Sequence, residues 1–328
     1  KYIMKSIILF ICFVLNFSAF AQSNSSSTTV LIFVFEGVQI IDFTAPYETF
    51  GQAGYNIKTV SYNTDTFRTQ MGLKMSSDYN FENSPDAEIL VIPGGMLPHD
   101  LSKEDKAVLW LKEKEPNAKY IFTVCNGAFI LGSSGFSEGL EVTTNAGMIS
   151  HLSGYLKGVI PVYDKRFVHD GKFVSAGGLT AGFDAALYII SQINGTGRAQ
   201  EVANKLEYNW DINNKYVRSK LADIHFSKIL DFNPPLRKKV IIYEGNEDYW
   251  NLEFNVKRNE TLKEFAEQLR TVFNDNNWEI KEKELNGKYY YDGQFTDWKN
   301  EKWKIKSEFS ETNENKIYNM KLRIDKIN

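Results

Sequence analysis

The chain has 328 residues, 43% apolar and 24% charged, a composition ordinary for a globular protein and long enough for two domains. Its formal net charge is only −3, and its longest basic run is Arg237, Lys238 and Lys239, so nothing favours a polyanionic partner and nucleic acid is not expected. At the N-terminus Met4 and Lys5 precede an apolar run from Ile7 to Leu15, followed by Ala19-Phe20-Ala21 and Gln22, the layout of a cleavable secretory leader. Residues 1–21 therefore read as a signal peptide, and the mature protein is expected in the periplasm or the medium. That run is too short to span a bilayer and no later stretch is longer, so the mature chain should have no membrane span. With Cys12 removed, Cys125 is the one cysteine left and no internal disulfide can form.

Residues 22–29 form a Ser/Asn/Thr tether. Val30 to Phe35 is an apolar run of strand length, Pro46 to Gly51 sits in a helix, and Tyr55 to Tyr62 alternates as a strand. Glu88 to Ile92 is a second buried run, ending in Pro93-Gly94-Gly95. Lys103 to Glu115 has helical spacing, Tyr120 to Val124 is strand-like, and Ala128 to Leu131 is helical. Leu140 to Thr143 reads as a strand and Ala146 to Leu156 as a helix. Tyr163 to Val168 and Lys172 to Ser175 flank the hairpin turn His169-Asp170-Gly171, and Ala181 to Ile193 and Ala199 to Tyr208 are helices. Strands alternating with helices and buried on both faces predict an α/β domain over 30–232, with an open, mostly parallel sheet whose ligand site lies beyond the carboxyl ends of its strands.

After Pro234-Pro235 the composition changes. Trp250, Leu252, Phe254 and Val256 alternate strictly, as do Tyr318, Met320, Leu322 and Ile324. Thr261 and Glu264 form a capping box that opens a helix with Leu262, Phe265, Ala266 and Leu269 on one face. Residues 236–328 are thus expected to form a smaller α+β domain, a sheet with one helix against it.

Chemistry concentrates at Thr123-Val124-Cys125-Asn126-Gly127-Ala128, where the cysteine follows a buried strand and precedes a helix. This is the position of a nucleophile elbow, with Gly127 removing a Cβ that would strike the neighbouring strand. The nearby helix N-terminus is expected to favour thiolate and depress the thiol pKa. The bland alternative is a buried core thiol. Gly94 and Gly95 follow another buried strand and either expose backbone N–H groups to a substrate or form a plain turn. His, Cys and acidic residues show no metal-ligand spacing, and no phosphate loop or dinucleotide fingerprint is present, so neither metal nor cofactor is expected.

The chain resembles the ThiJ/PfpI family, of the class I glutamine amidotransferase-like superfamily, from about Val30 to about Tyr208. The resemblance rests on Phe35-Glu36-Gly37-Val38-Gln39, Asp42-Phe43-Thr44-Ala45-Pro46, Val91-Ile92-Pro93-Gly94-Gly95, Cys125-Asn126-Gly127-Ala128, Gly139-Leu140, Thr143-Thr144, the segment Arg166 to Gly171 and the segment Ser175 to Asp184, in that order. It is nearest to the branch of isocyanide hydratases and the ligand-binding halves of AraC-type regulators. It implies a flavodoxin-like sheet sandwiched by helices, a homodimer, and a small-molecule substrate or ligand. It also implies that Cys125 is the nucleophile, that Asp42 sits beside its sulfur, and that the backbones of Gly94, Gly95 and Asn126 form an oxyanion hole. Glu36 is a decoy acid.

Two positions depart from the pattern. Asn126 stands where peptidase-like members have histidine and isocyanide hydratases usually threonine, and Asn145 stands where hydratases often have histidine. His151 is either a substitute for that histidine or a polar surface residue, His99 is a loop candidate, and His169 belongs to the hairpin turn. The leading expectation is a cysteine-dependent hydratase or hydrolase. The alternatives are a ligand-binding or oxidant-sensing module whose low-pKa thiol oxidises readily, and a holdase-like chaperone.

Overall fold

Thr29–Phe33 (β1) is apolar after its first residue and buried on both faces, which only an interior strand of a covered sheet requires. The computed structural model describes residues 27–63, 65–97, 102–214, 216–226 and 236–327; the leader, Cys12, His99 and Pro234-Pro235 lie outside them. Ile40–Gln52 (α1) follows, then Asn56–Ser61 (β2), Tyr79–Asn80 (β3), Ile89–Ile92 (β4), Lys106–Lys114 (α2), Tyr120–Val124 (β5) and Ala128–Ser134 (α3). Phe167–Asp170 (β6), Phe173–Ala176 (β7), Ala181–Asn194 (α4) and Thr196–Lys205 (α5) complete the unit. The seven strands lie in the order β6-β7-β5-β4-β1-β2-β3, parallel except for β6 against β7. Helix α1 packs on α4 and α5, and α2 packs on α3, giving the expected α/β architecture.

Two helices differ from expectation. α1 begins at Ile40, six residues before Pro46, because Asp42, Phe43, Ala45, Pro46, Thr49 and Phe50 form one buried stripe at helical spacing. That extension carries Asp42 into the first helical turn. The helix expected over Ala146 to Leu156 is reduced to a 3-10 turn at Ile149–His151 and one α-turn at Leu152–Tyr155. Gly147, Ser150, Ser153 and Gly154 leave too little helix propensity for more.

The second sheet is antiparallel throughout. Leu236–Gly245 (β8), Tyr249–Lys257 (β9), Glu279–Leu285 (β10), Lys288–Thr296 (β11), Lys302–Glu311 (β12) and Ile317–Ile327 (β13) lie in the order β8-β9-β13-β12-β11-β10. Between β9 and β10, Leu262–Asp275 (α6) carries the Thr261/Glu264 capping box and places Leu262, Phe265, Ala266, Leu269 and Phe273 in one core with Trp250, Phe254 and Trp303. Ala222 and Phe226, ahead of the proline pair, also belong to this second core. The packing therefore changes bodies earlier in the chain than the composition does. Among the described residues no helix is long and apolar enough to cross a membrane.

Candidate active site

At the carboxyl end of β5, Val124 is still extended, but Cys125 adopts a φ of +57° and Cys125–Gly127 forms a 3-10 turn leading into α3. A positive φ at a non-glycine residue is a strained conformation held by its surroundings. The surroundings are tight. A Cβ on Gly127 would lie 2.1 Å from the Ile92 carbonyl oxygen of β4, so only glycine fits there, and the Thr144 hydroxyl donates to the Cys125 carbonyl at 2.6 Å. A Cβ on Gly94 or Gly178 would come within 2.8 or 2.9 Å of the Cys125 Cβ, which makes these two glycines the walls of the nucleophile's slot. The partly buried sulfur-bearing residue opens on a pocket of about 630 Å³.

Asp42 lies behind Cys125 and is completely buried. Its Oδ1 accepts the Leu179 N–H at 2.8 Å, across 137 residues of chain, while Oδ2 is buried and makes no hydrogen bond of ordinary geometry. Burial raises the Asp42 pKa above the carboxylate range; the Leu179 N–H, the Cys125 thiol and the Gly94 N–H pull more weakly the other way. For Cys125 the balance runs against the expected thiolate. Burial, then the Asp42 charge, push the thiol up to about 12, and the Asn126 N–H and the Asn145 side chain offset only part of this. A helix terminus counts for little once the sulfur is taken out of water beside a carboxylate.

The expected oxyanion hole is partly occupied by the protein itself. The Asn126 side chain pairs in both directions with Gly95, whose N–H donates to Oδ1 at 2.8 Å and whose carbonyl accepts from Nδ2 at 2.8 Å. The Gly94 N–H acts on the Asp42 carboxyl, pulling its pKa down weakly. Of the three backbone groups, the Asn126 N–H favours the Cys125 thiolate, and the Asn145 side chain acts in the same direction.

The DJ-1/PfpI family profile matches residues 28–192, half of the chain, with Asp42, Gly94, Gly95, Cys125, Asn126 and Asn145 inside the match. The chain belongs to the DJ-1/PfpI family. It is 30% identical over 176 residues to isonitrile hydratase of Pseudomonas putida, covering 53% of this chain and 76% of that protein. It is 26% identical over 144 residues to deglycase PfpI of Pyrococcus furiosus, covering 43% of this chain and 83% of the deglycase. Among solved structures, a ThiJ/PfpI family protein from Pseudomonas syringae superposes with a TM-score of 0.52 at 26% identity, over 57% of this chain and 77% of that one. DJ-1beta of Drosophila melanogaster shares the fold, with a TM-score of 0.51 at 20% identity, over 56% of this chain and all of its own.

Within this DJ-1/PfpI domain Cys125, Asn126, Gly95 and Asn145 line one pocket, with Asp42 packed behind the sulfur. His151 is exposed on its turn and does not line it. His169 lies in β6, beside the turn rather than in it, with Nδ1 2.9 Å from the Tyr188 hydroxyl. Glu36 accepts the Arg68 N–H at 2.9 Å, a structural duty. Sequence reasoning did not assign roles to Gly178 and Leu179, although Gly177-Gly178 after β7 repeats the strand-then-glycine-pair pattern of β4. Nor did it find Arg166, whose guanidinium forms a buried ion pair with Asp184 at 2.6 Å, or the Tyr216 to Ser219 segment that also lines the pocket.

Proposed function

We propose that this chain is a cysteine-dependent hydratase or hydrolase of small molecules, with isocyanide hydration as the leading reaction. The observation that carries the reading is a strained, pocket-facing Cys125 beside a buried Asp42 whose Oδ2 has no hydrogen-bond partner. Because burial and the Asp42 charge hold the thiol proton, that proton must leave as the sulfur attacks, and Asp42, with its raised pKa and unpartnered Oδ2, is the acceptor. With an isocyanide, Sγ bonds the terminal carbon and Asp42 returns the proton to that carbon, giving a thioimidate. Water then adds to the same carbon, the C–S bond breaks, an N-substituted formamide leaves and the sulfur regains a proton. The Asn126 N–H and the Asn145 amide are placed to receive negative charge that builds near the sulfur.

The similarity to an isonitrile hydratase supports this choice of reaction, and Asn126 is the reason to include amides and dicarbonyl adducts in the assay. The raised thiol pKa weighs against oxidant sensing, which needs an accessible thiolate. Export rests on the leader pattern alone. The test is turnover of a panel of isocyanides, amides and dicarbonyl adducts by the full chain. The expected result is activity in the wild type, none with Cys125→Ala, and a loss of about 10²–10⁴-fold in kcat with Asp42→Asn. Wild-type inertness across the panel, or Cys125→Ala retaining activity, would overturn the reading.

A further inference from the structure

Part of the wall of the Cys125 pocket is built by a connector that belongs to neither sheet. Tyr216, Val217, Arg218 and Ser219 line it together with Gln39, Gly95 and Asn145. Both ends of this connector are tied down. Arg166 donates to the Tyr216 carbonyl at 3.3 Å and the Ser219 hydroxyl donates to the Tyr163 carbonyl. Beyond it, the Ala222 N–H donates to the Asn246 carbonyl at 2.9 Å and Lys220 pairs with Glu247 at 2.8 Å, which fastens the segment to the second sheet.

Arg218 is fixed with particular care. Its Nη1 and Nη2 donate to the two carboxylate oxygens of Asp223 at 2.7 and 2.8 Å, and the Tyr243 hydroxyl of β8 donates to the same carboxylate. Asp223 is buried, whereas the Arg218 side chain is 48% exposed. A guanidinium has five N–H donors, of which Asp223 engages two, so a held but half-open cation faces the cavity. Lys165 lines the same cavity with its side chain 55% exposed, and its acidic neighbour Glu141 is 3.8 Å away. The lining contains Lys165, Arg166 and Arg218 and no aspartate or glutamate. All three are ion-paired, Arg166 with Asp184, Arg218 with Asp223 and Lys165 with Glu141, but Arg166 is buried, whereas Arg218 and Lys165 are half-exposed and able to meet a solute.

We propose that Arg218, with Lys165, is a specificity-determining residue that selects small electrophiles carrying a carboxylate, holding that group at the connector side while Cys125 meets the reactive carbon. The inference deepens the proposed function and rests on it for the reaction catalysed; the charge selection itself does not require turnover. It also gives the second sheet a part in the site, since Tyr243 and the contacts of Ala222 and Lys220 hold the connector in place.

Iodoacetate and iodoacetamide are similar in size and react alike with a thiol, differing in one negative charge. Their rates at Cys125 of the full chain, followed by mass spectrometry of the Cys125 peptide and divided by their rates with free cysteine, isolate the pocket's preference. The normalised ratio should favour iodoacetate in the wild type, fall about fivefold in Arg218→Gln and fall in Lys165→Gln, which leaves the Asp223 pair intact. Arg218→Gln strands a buried carboxylate, so Arg218→Gln/Asp223→Asn serves as the folded control and should show the same fall. In the wild type, raising the salt should erode the preference through screening, a readout that needs no variant. A wild-type ratio equal to that of free cysteine, or one unmoved by salt and by both substitutions, would overturn the inference. Charge selection without turnover of any panel substrate would sink the reaction and leave the selection standing; turnover without charge selection would do the reverse.

Discussion

Asp42 and Cys125 each resist ionisation, because burial penalises both charges and the carboxylate repels a thiolate beside it. The pair therefore behaves as two acids competing for protons. Its consequence for stability has a definite sign. A cysteine in the unfolded chain ionises near its ordinary value of 9.0, the folded Cys125 near about 12, so the folded state holds the proton more tightly. This contribution is complete below pH 9 and is lost as pH climbs toward 12. Between about pH 8 and about pH 10 the wild type should lose roughly 1 kcal/mol more than Cys125→Ala, which lacks the group. Urea unfolding of both proteins at the two pH values measures the difference. Equal losses would mean that burial does not tax the thiolate.

The elbow works as an element because each turn around it is sterically fixed. Gly127→Ala forces a Cβ to within 2.1 Å of the Ile92 carbonyl oxygen, a backbone atom that cannot swing aside, and should cost about 1–3 kcal/mol or more. Gly154→Ala, in the exposed turn at Leu152–Tyr155 with nothing within 4 Å of the added atom and no positive φ, should instead gain about 0.4–1 kcal/mol. Thermal melts of the two variants test whether the distinction is local sterics, and similar shifts would refute it. The elbow was readable in the sequence because its cause is local, a buried run meeting Cys-x-Gly. The alternating patterns of β9 and β13 and the capping box of α6 were readable for the same reason. Asp42 was placed beside the sulfur only by resemblance, since its contact with Leu179 joins α1 to the loop after β7. The closure of Gly95 by the Asn126 amide was invisible, because a side chain 31 residues distant occupies an N–H that a backbone pattern leaves open. The expected helix after Asn145 failed because apolar spacing was not backed by propensity.

Across the whole molecule two cores are joined by a short stretch that serves both. Trp210 closes the first core, and Ala222 and Phe226 already belong to the second. Tyr163 stacks on Trp298 with ring centroids 4.1 Å apart, and Lys299 lies over both rings, so the bodies also meet beside the anchor of Ser219. Composition marked the change of domain at the prolines, while packing marks it at the connector, and no periodicity announces a connector that has neither helix nor strand spacing. At the far edge of the second sheet, β10 is short, exposed and dense in Glu and Lys, which guards it against pairing with another chain. The proposed chemistry depends on where one proton resides in the resting protein. The ultraviolet absorbance of thiolate, taken as the difference between wild type and Cys125→Ala across a pH titration of the full chain, locates it. The expected result is no thiolate step below about pH 10, with the step moving to lower pH in Asp42→Asn. A thiolate already formed near neutral pH, or a step indifferent to Asp42, would contradict the mechanism at its root.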